Sequence, residues 1–451
     1  MVILERALAL KQKYGLKRCI DGFEEDLGVT LYPSVYRRDR IEDLFNVQLL
    51  VNRLILGIAR DEKMLNELGT GELVVEGEKV AIDIESDLIY GILERIRRER
   101  VPVRKIEGLL VRSDYIESIE GSFKQVEVNT VSCAFVVAGQ SVNKMHEELM
   151  GDDEWQKSFE RAVGELDGRE VLVSEGPERL QEFIRLIDKE YKQMYGCRGV
   201  FILLDNDSSV RSKNYLEKQQ ILELVGALGM KAYFVAVDDM LSRYEVVGDR
   251  LFYNGEEVSV VYFRWLYNAD QYTEEIIKMR IAIESTVAVP VPSVNVQIAG
   301  LKFFQRLFAK REFLSRYTED FSVERFFVSF MTVAEYRKHN PKKPYVLKPL
   351  SEGGGHNYFK GDVLEKVKSL TGKEEEAYIL MEEIEGTQRK NRALMKPIGN
   401  MIGEVGVFGY TVATPTAEAS SVAGYILRTR YHYDNEVGVS AGFGSLDSIM
   451  W

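Results

Sequence analysis

The residues best suited to chemistry fall in four places. The first is residues 345–357, YVLKPLSEGGGHN, where a β-rich run ends in Lys348, Glu352 follows four positions later, and Gly353, Gly354 and Gly355 come next. Glycines let backbone amides close on an anion. A lysine adds a point charge for phosphate, and a glutamate a hard oxygen for Mg²⁺. No GK[ST] follows the glycines, so this is not a Walker A loop. A bare triple glycine reads as a surface loop; Lys348 and Glu352 beside it favour phosphate.

The second place is Glu127 and Asn129, two apart and therefore on one face of a strand. Their oxygens suit Mg²⁺, although such a pair alone is more often a solvated outer face. The third is residues 377–384, AYILMEEI, an apolar strand running into Met381 and Glu382. It is either a hinge offering backbone groups to adenine or a strand ending at the surface. The fourth is Arg428 and Arg430 on one strand face, followed by the small-residue loop at 437–442, VGVSAG. Inward arginines without partners are costly, so these two are either exposed or bind anions.

Elements must hold these groups in place. Leu44, Leu49, Leu50, Leu54 and Ile55, then Leu88, Ile92 and Ile96, lie near helical spacing, so the first hundred residues read as helical scaffold. From Leu109 the period becomes two. Val111, Ser113 and Tyr115 alternate with Arg112 and Asp114, and beyond Gly121, Val126 and Val128 alternate with Glu127 and Asn129. This is a hairpin. Residues 170–237 alternate strands (171–174, 200–204, 233–237) with helices (177–194 and one ending near Leu228), and another strand spans 258–264. Such alternation implies a parallel, layered sheet. Residues 317–400 read as a small α+β lid, and strands return at 405–412 and 423–429.

Composition excludes several classes. The chain has 451 residues and a formal charge of −12, the wrong sign for a nucleic-acid surface. The basic stretch 95–104 reads as a solvated helix face. Cys19, Cys133 and Cys197 form neither a disulfide framework nor a metal spacing, which points to a reducing compartment and the cytoplasm. Glu5 and Arg6 break the apolar start, so it does not read as a signal peptide. No apolar run approaches the roughly 18 residues needed to cross a bilayer, so no membrane role is expected.

Taken in order, these segments resemble the eukaryotic glutathione synthetases of the ATP-grasp superfamily. The matching blocks are Arg-Ser-Asp-Tyr at 112–115, Glu-x-Asn-Thr at 127–130, Tyr-Phe-Arg-x-x-Tyr at 262–267, Ala-Gly-x-Lys at 299–302 and the Lys-Pro-x-x-Glu-Gly-Gly-Gly loop at 348–355. Leu-Met-Glu at 380–382, Glu-x-Gly-x-Phe-Gly at 404–409, Leu-Arg-Thr at 427–429 and Gly-Val-x-Ala-Gly at 438–442 complete the set. Each block alone is weak, but the ordered set from Arg112 to the C-terminus is strong.

The resemblance implies roles. Glu127, Asn129 and Glu352 would be magnesium ligands. Lys302, Lys348, Gly353, Gly354 and Asn357 would hold ATP phosphates. Met381, Glu382 and Ile384 would form the adenine hinge, with Glu404 and Arg430 as further nucleotide contacts. Arg112, Ser132, Asn214, Arg264 and Tyr267 would form the γ-glutamylcysteine site. Arg428, Val439 and Ser440 would lie around the substrate carboxylates and glycine, and Arg112, Lys348 and Arg428 would act catalytically. The activity implied is ATP- and magnesium-dependent ligation of γ-glutamylcysteine with glycine by a homodimer. The departures are Lys218 where glutamine is usual, Ala134 for a serine, His356 for an asparagine and Arg430 for a lysine. The alternatives are another ATP-grasp carboxylate–amine ligase, for example a homoglutathione-type synthetase using β-alanine or serine, or a catalytically dead nucleotide-binding relative.

The expected fold class is α/β with an α+β lid: an ATP-grasp fold with an inserted parallel-sheet substrate domain and a helical N-terminal region. Its expected divisions are a helical part of the body at 1–108, the hairpin region at 109–168, the α/β substrate domain at 169–290, body again at 291–316, the lid at 317–400, and C-terminal strands with the substrate loop at 401–451.

Overall fold

The computed structural model describes residues 2–20, 23–80, 82, 84–99, 105–351, 356–439 and 442–451. Its centre is an antiparallel sheet in the order Ser445–Asp447, Glu418–Tyr431, Gly399–Ala413, Glu107–Glu117 and Phe123–Asn129, with Gln388–Asn391 also paired to Gly399–Ala413. Alternation assigns its two faces. Leu109, Val111 and Tyr115 pack under helix Arg38–Arg60, whose Leu44, Val51 and Ile55 are buried in the same core. Leu110, Phe408 and Ile426 pack on the other side with Val136 and Val142 of helix Val136–Met150 and Phe183 of helix Gly176–Tyr195. Burying both faces is what makes the strands rigid enough to carry charged side chains at fixed spacing.

A second sheet holds Ala232–Ala236, Val200–Asp205, Glu256–Phe263 and Val289–Val291 in parallel. Arg250–Tyr253 and Tyr244–Val247 extend it antiparallel. Helices Gly176–Tyr195 and Tyr215–Ala227 supply one apolar layer, and Ile276, Met279 and Ile283 of helix Glu274–Glu284 supply the other. Pro177 sits in the first turn of Gly176–Tyr195, and Gly196 ends it at φ 77°, the usual asymmetry of helix ends. Asn254 and Gly255 both adopt positive φ in the hairpin between Arg250–Tyr253 and Glu256–Phe263, as a tight two-residue turn requires.

The third sheet is small: Phe330–Thr332, Tyr378–Glu382 and Tyr345–Pro349, all antiparallel. Val333 from helix Val333–His339 and Val363 and Val367 from helix Gly361–Ser369 close its own core around Leu347 and Leu380. Three layered sheets of this kind, one a small lid, make the ATP-grasp architecture.

Three sequence expectations need correction. The strand expected at 171–174 is only an isolated bridge from Val171 to Met450, because the pairing ends where Leu172 donates to the Ile449 carbonyl and the Ser174 amide is taken by Asn143 Oδ1. The helical N-terminal region also holds a hairpin, Lys17–Ile20 with Phe23–Asp26. Val126 does not alternate with Glu127 as expected. Asp114 pairs with Glu127 and Tyr115 with Gln125, so Val126 is an extra residue in a β-bulge.

Candidate active site

The charged residues converge on one face of the central sheet. Arg112 stands opposite Asn129 and Asp114 opposite Glu127. On the next strand Gly406 stands opposite Asp114, and Glu404 opposite Arg428. Register thus carries one polar stripe across four strands. Leu110 and Phe408, on the same face, lie under the helices that cover its other end.

Asp114 ties the stripe together. It is 1% exposed. Arg112 Nε donates to its Oδ1 at 2.8 Å and Arg112 Nη2 to its Oδ2 at 2.9 Å. Asn129 Nδ2 donates to Oδ2 at 3.1 Å, and Arg428 Nη2 lies 3.0 Å from the same oxygen. Arg428 Nη2 also reaches Glu404 Oε1 at 2.5 Å. The two options set for Arg428, exposure or anion binding, therefore give way to a third, pairing with buried carboxylates. A Cβ on Gly406 would lie 2.6 Å from Asp114 Oδ1 and 3.0 Å from Arg112 Cδ, so glycine is needed for this packing.

The electrostatics separate two carboxylates on this face. Burial opposes charge on Glu127, but Lys302, Lys348, Arg112 and Arg428 outweigh it and hold its carboxyl below the usual range. Burial pushes Glu404 up; Arg428 offsets this only in part, and Asp114 and Glu127 add repulsion. Burial also opposes charge on Arg112, yet Asp114 more than compensates and holds that guanidinium above its ordinary value. Glu127 therefore stays ionised as a hard oxygen donor.

Two lysines approach from different elements. Lys302 opens helix Lys302–Phe308. Its Nζ lies 3.4 Å from Glu127 Oε1 and donates to the Ser351 carbonyl at 2.9 Å. The preceding turn needs Gly300, whose Cβ would meet Thr130 Oγ1 at 2.1 Å. Lys348 comes from the lid strand Tyr345–Pro349. It donates to the carbonyl of the bulged Val126 at 3.1 Å and lies 4.0 Å from Met381 Sδ. A bulge leaves one residue outside the ladder, and here its carbonyl receives the lysine. Glu352, Gly353, Gly354 and Ser440 lie outside the described residues.

The other expected site residues are placed as follows. Ser132, at φ 55°, donates its hydroxyl to the Arg264 carbonyl at 2.9 Å. Asn214, at φ 56°, begins helix Tyr215–Ala227. From that helix Glu217 Oε2 accepts from Arg264 Nη2 at 3.3 Å. Arg264 is buried, and its Nε and Nη1 have no hydrogen-bond partner among the described residues. Arg112 joins this end to the stripe by donating Nη1 to the Ala134 carbonyl at 3.2 Å. Tyr267 lies in the loop after Arg264, its amide bonded to Gln271 Oε1 at 2.9 Å.

Other residues have separate partners. Glu382 binds Lys343 through its carboxylate and the Ser329 carbonyl through its amide. Ile384 is half-buried in the segment after that strand. Asn357 donates its amide to Glu436 Oε1 at 3.0 Å. Arg430 binds the Asp434 carbonyl, and Val439 accepts from Arg18 Nη1 at 3.4 Å. Cys133 donates its thiol to the Asn129 carbonyl at 3.0 Å. Burial pushes that thiol up to about 11, which suits a packed residue and not a nucleophile.

Sequence reasoning missed Asp114, Glu217 and Arg18 as members of the site. Asp114 had a signal, two residues from Arg112 on one strand face. Glu217 had a weaker one, in the first turn after Asn214. Arg18 had none, because its partner is Val439, far along the chain.

The three-sheet fold is of the ATP-grasp type, and Lys302 and Lys348 bring two cations from different elements to carboxylate and backbone carbonyl oxygens. The chain matches the family described as eukaryotic glutathione synthase, ATP binding domain, over residues 16–451, and it belongs to that family. It is 28% identical to "Glutathione synthetase, chloroplastic" of Arabidopsis thaliana, covering 93% of this chain and 78% of that one. It is 25% identical to the glutathione synthetase of Homo sapiens, covering 93% and 89%. A glutathione synthetase-like effector from Globodera pallida, solved in its apo form, shares the fold at TM-score 0.74 and 18% identity, over 99% of this chain and 96% of that chain.

Proposed function

We propose that this chain is an ATP-dependent carbon–nitrogen ligase that joins γ-glutamylcysteine to glycine, yielding glutathione, ADP and phosphate. The observation that carries this reading is the meeting of Lys302 and Lys348 with Glu127, Asn129, Arg112 and Arg428 on one sheet face.

The γ-phosphoryl group of ATP passes to the cysteinyl carboxylate, the bond to ADP breaks, and an acyl phosphate forms. Lys302 and Lys348 hold the transferring phosphate, aided by Gly353, Gly354 and the Asn357 loop. Met381, Glu382 and Ile384 seat adenine, with Glu404 and Arg430 on the nucleotide side. Glu127, Asn129 and Glu352 fit Mg²⁺, since all three offer hard oxygens and Glu127 is held ionised. That ion supplies charge neutralisation at the phosphates. Glycine's amine then attacks the acyl carbon, loses a proton and displaces phosphate.

Arg112 stabilises the oxyanion of that addition. Arg264 binds an anionic end of the dipeptide, and Ser132, Asn214 and Tyr267 complete its site. Arg428, Val439 and Ser440 orient the carboxylates and glycine. The acyl phosphate is prone to hydrolysis, so the lid and the loop at 437–442 must exclude water.

The divisions at 108, 168, 290, 316 and 400, a homodimer and a cytoplasmic location complete the proposal. No described helix is long and apolar enough to cross a membrane.

The test is ADP release from ATP and Mg²⁺ with γ-glutamylcysteine, offering glycine, β-alanine or serine in turn. Release that requires the dipeptide and is fastest with glycine, with glutathione confirmed by mass, supports the reading. Faster release with β-alanine or serine moves the third substrate. No release from folded, ATP-binding protein overturns the assignment.

A further inference from the structure

Asp114 is given no substrate in the proposed function, yet three proposed site residues lean on it. Its Oδ1 takes Arg112 Nε, and its Oδ2 takes Arg112 Nη2, Asn129 Nδ2 and Arg428 Nη2. An ionised carboxylate only accepts. The Asn129 amide must therefore turn its NH₂ toward Asp114, and its Oδ1 is directed away from Asp114. Glu127, across the strand pair from Asp114, lies two residues from Asn129. Gly406 makes the seat, because any Cβ there would lie 2.6 Å from Asp114 Oδ1.

We infer that Asp114 is the positioning residue of the site: its carboxylate locks the Arg112 and Arg428 guanidiniums and turns Asn129 so that its amide oxygen, not its nitrogen, is presented beside Glu127 to a divalent cation. The inference rests on the proposed function. The two fail separately, because the first readout is cation binding and not ligation.

The experiment titrates Mn²⁺ into full-length protein with a non-hydrolysable ATP analogue and follows the loss of the free-ion EPR signal. Partners that orient a metal ligand typically contribute about 10–100-fold in affinity. Asp114→Asn is therefore expected to weaken Mn²⁺ by at least about tenfold, and Asn129→Ala is expected to do the same. The double variant is expected to be no weaker than either single one, since residues acting through each other are not additive. Additive losses, or Mn²⁺ affinity in Asp114→Asn equal to the parent, overturn the proposal. Failure of the parent itself to bind Mn²⁺ with the analogue overturns the functional reading instead.

If Asp114→Asn does not fold, Asp114→Glu keeps the charge and moves it by one methylene. Weakened Mn²⁺ binding by folded Asp114→Glu supports the proposal, and parental binding overturns it. A kinetic readout completes the test. The positioning role expects kcat to fall in Asp114→Asn at a fixed Mg²⁺ concentration and half-saturation by Mg²⁺ to need at least about tenfold more of the ion than in the parent; an unchanged Mg²⁺ requirement overturns it.

Discussion

The two ends of the site treat buried charge in opposite ways. On the central sheet, Asp114 is saturated by two arginines and an amide, and Arg428 is shared between Asp114 and Glu404, with its buried Nε lacking a partner among the described residues. Near the parallel sheet, Arg264 has one ionic contact, to Glu217, and two nitrogens without partners among the described residues. A saturated network fixes its members before any ligand arrives, which suits groups that must meet charge developing in a reaction. An under-satisfied buried guanidinium is unfavourable until an anion completes it. The sheet end is thus built to hold geometry, and the Arg264 end to gain from binding.

The comparison is broken most forcefully at Arg264. Arg264→Ala is expected to lower kcat/KM for γ-glutamylcysteine on the order of a hundredfold, since hydrogen bonds to charged groups contribute about 1.5–3 kcal/mol each. The KM for ATP is expected to stay within about twofold. Steady-state kinetics with each substrate varied checks this; an equal rise in both would erase the distinction between the ends.

The next effect in size tests saturation at the sheet end. Gly406→Ala places a methyl against Asp114 Oδ1 and Arg112 Cδ. Overpacking of this kind costs about 1–3 kcal/mol. A lower Tm together with a lower kcat is expected, and a parental Tm and kcat would show that the stripe tolerates movement.

The smallest effect sharpens the Arg264 end through pH. Lys218 is buried there, bonded to Asp205 and to Ser212 Oγ at 2.7 Å. Burial, with Arg264 adding repulsion, lowers its pKa from 10.5 to about 8 against the pull of Asp205. The unfolded chain then holds this proton up to a higher pH than the folded one, so folding gains stability as pH rises from about 8 to 10.5. Urea unfolding of parent and Lys218→Gln across that range should show the parent gaining relative to the variant. A difference that does not change with pH would mean that Lys218 is not desolvated as described.

Much of this arrangement was legible in the sequence, for physical reasons that also mark the limit. Alternation put Arg112 with Asp114 and Glu127 with Asn129, because strand period is local. The parallel sheet followed from strands alternating with helices. The bulge at Val126 was not legible, since an inserted residue looks like ordinary alternation until the partner strand is known. Nor was the pairing of Arg428 with Glu404 and Asp114, which depends on register across three strands. Arg18 reaches Val439 from the other end of the chain, and local pattern carries nothing about that. The strand expected at 171–174 failed because its pairing to the C-terminal edge ends at Leu172, and the Ser174 amide is taken by the Asn143 side chain.

The proposed chemistry requires an oxygen to move from the cysteinyl carboxylate to phosphate. The most direct measurement uses γ-glutamylcysteine labelled with ¹⁸O in both cysteinyl carboxylate oxygens, with ATP, Mg²⁺ and glycine, and mass analysis of the products. The expected result is one ¹⁸O in the released phosphate and one retained in the new amide of glutathione for every turnover. Glutathione formed with unlabelled phosphate would contradict the acyl-phosphate account.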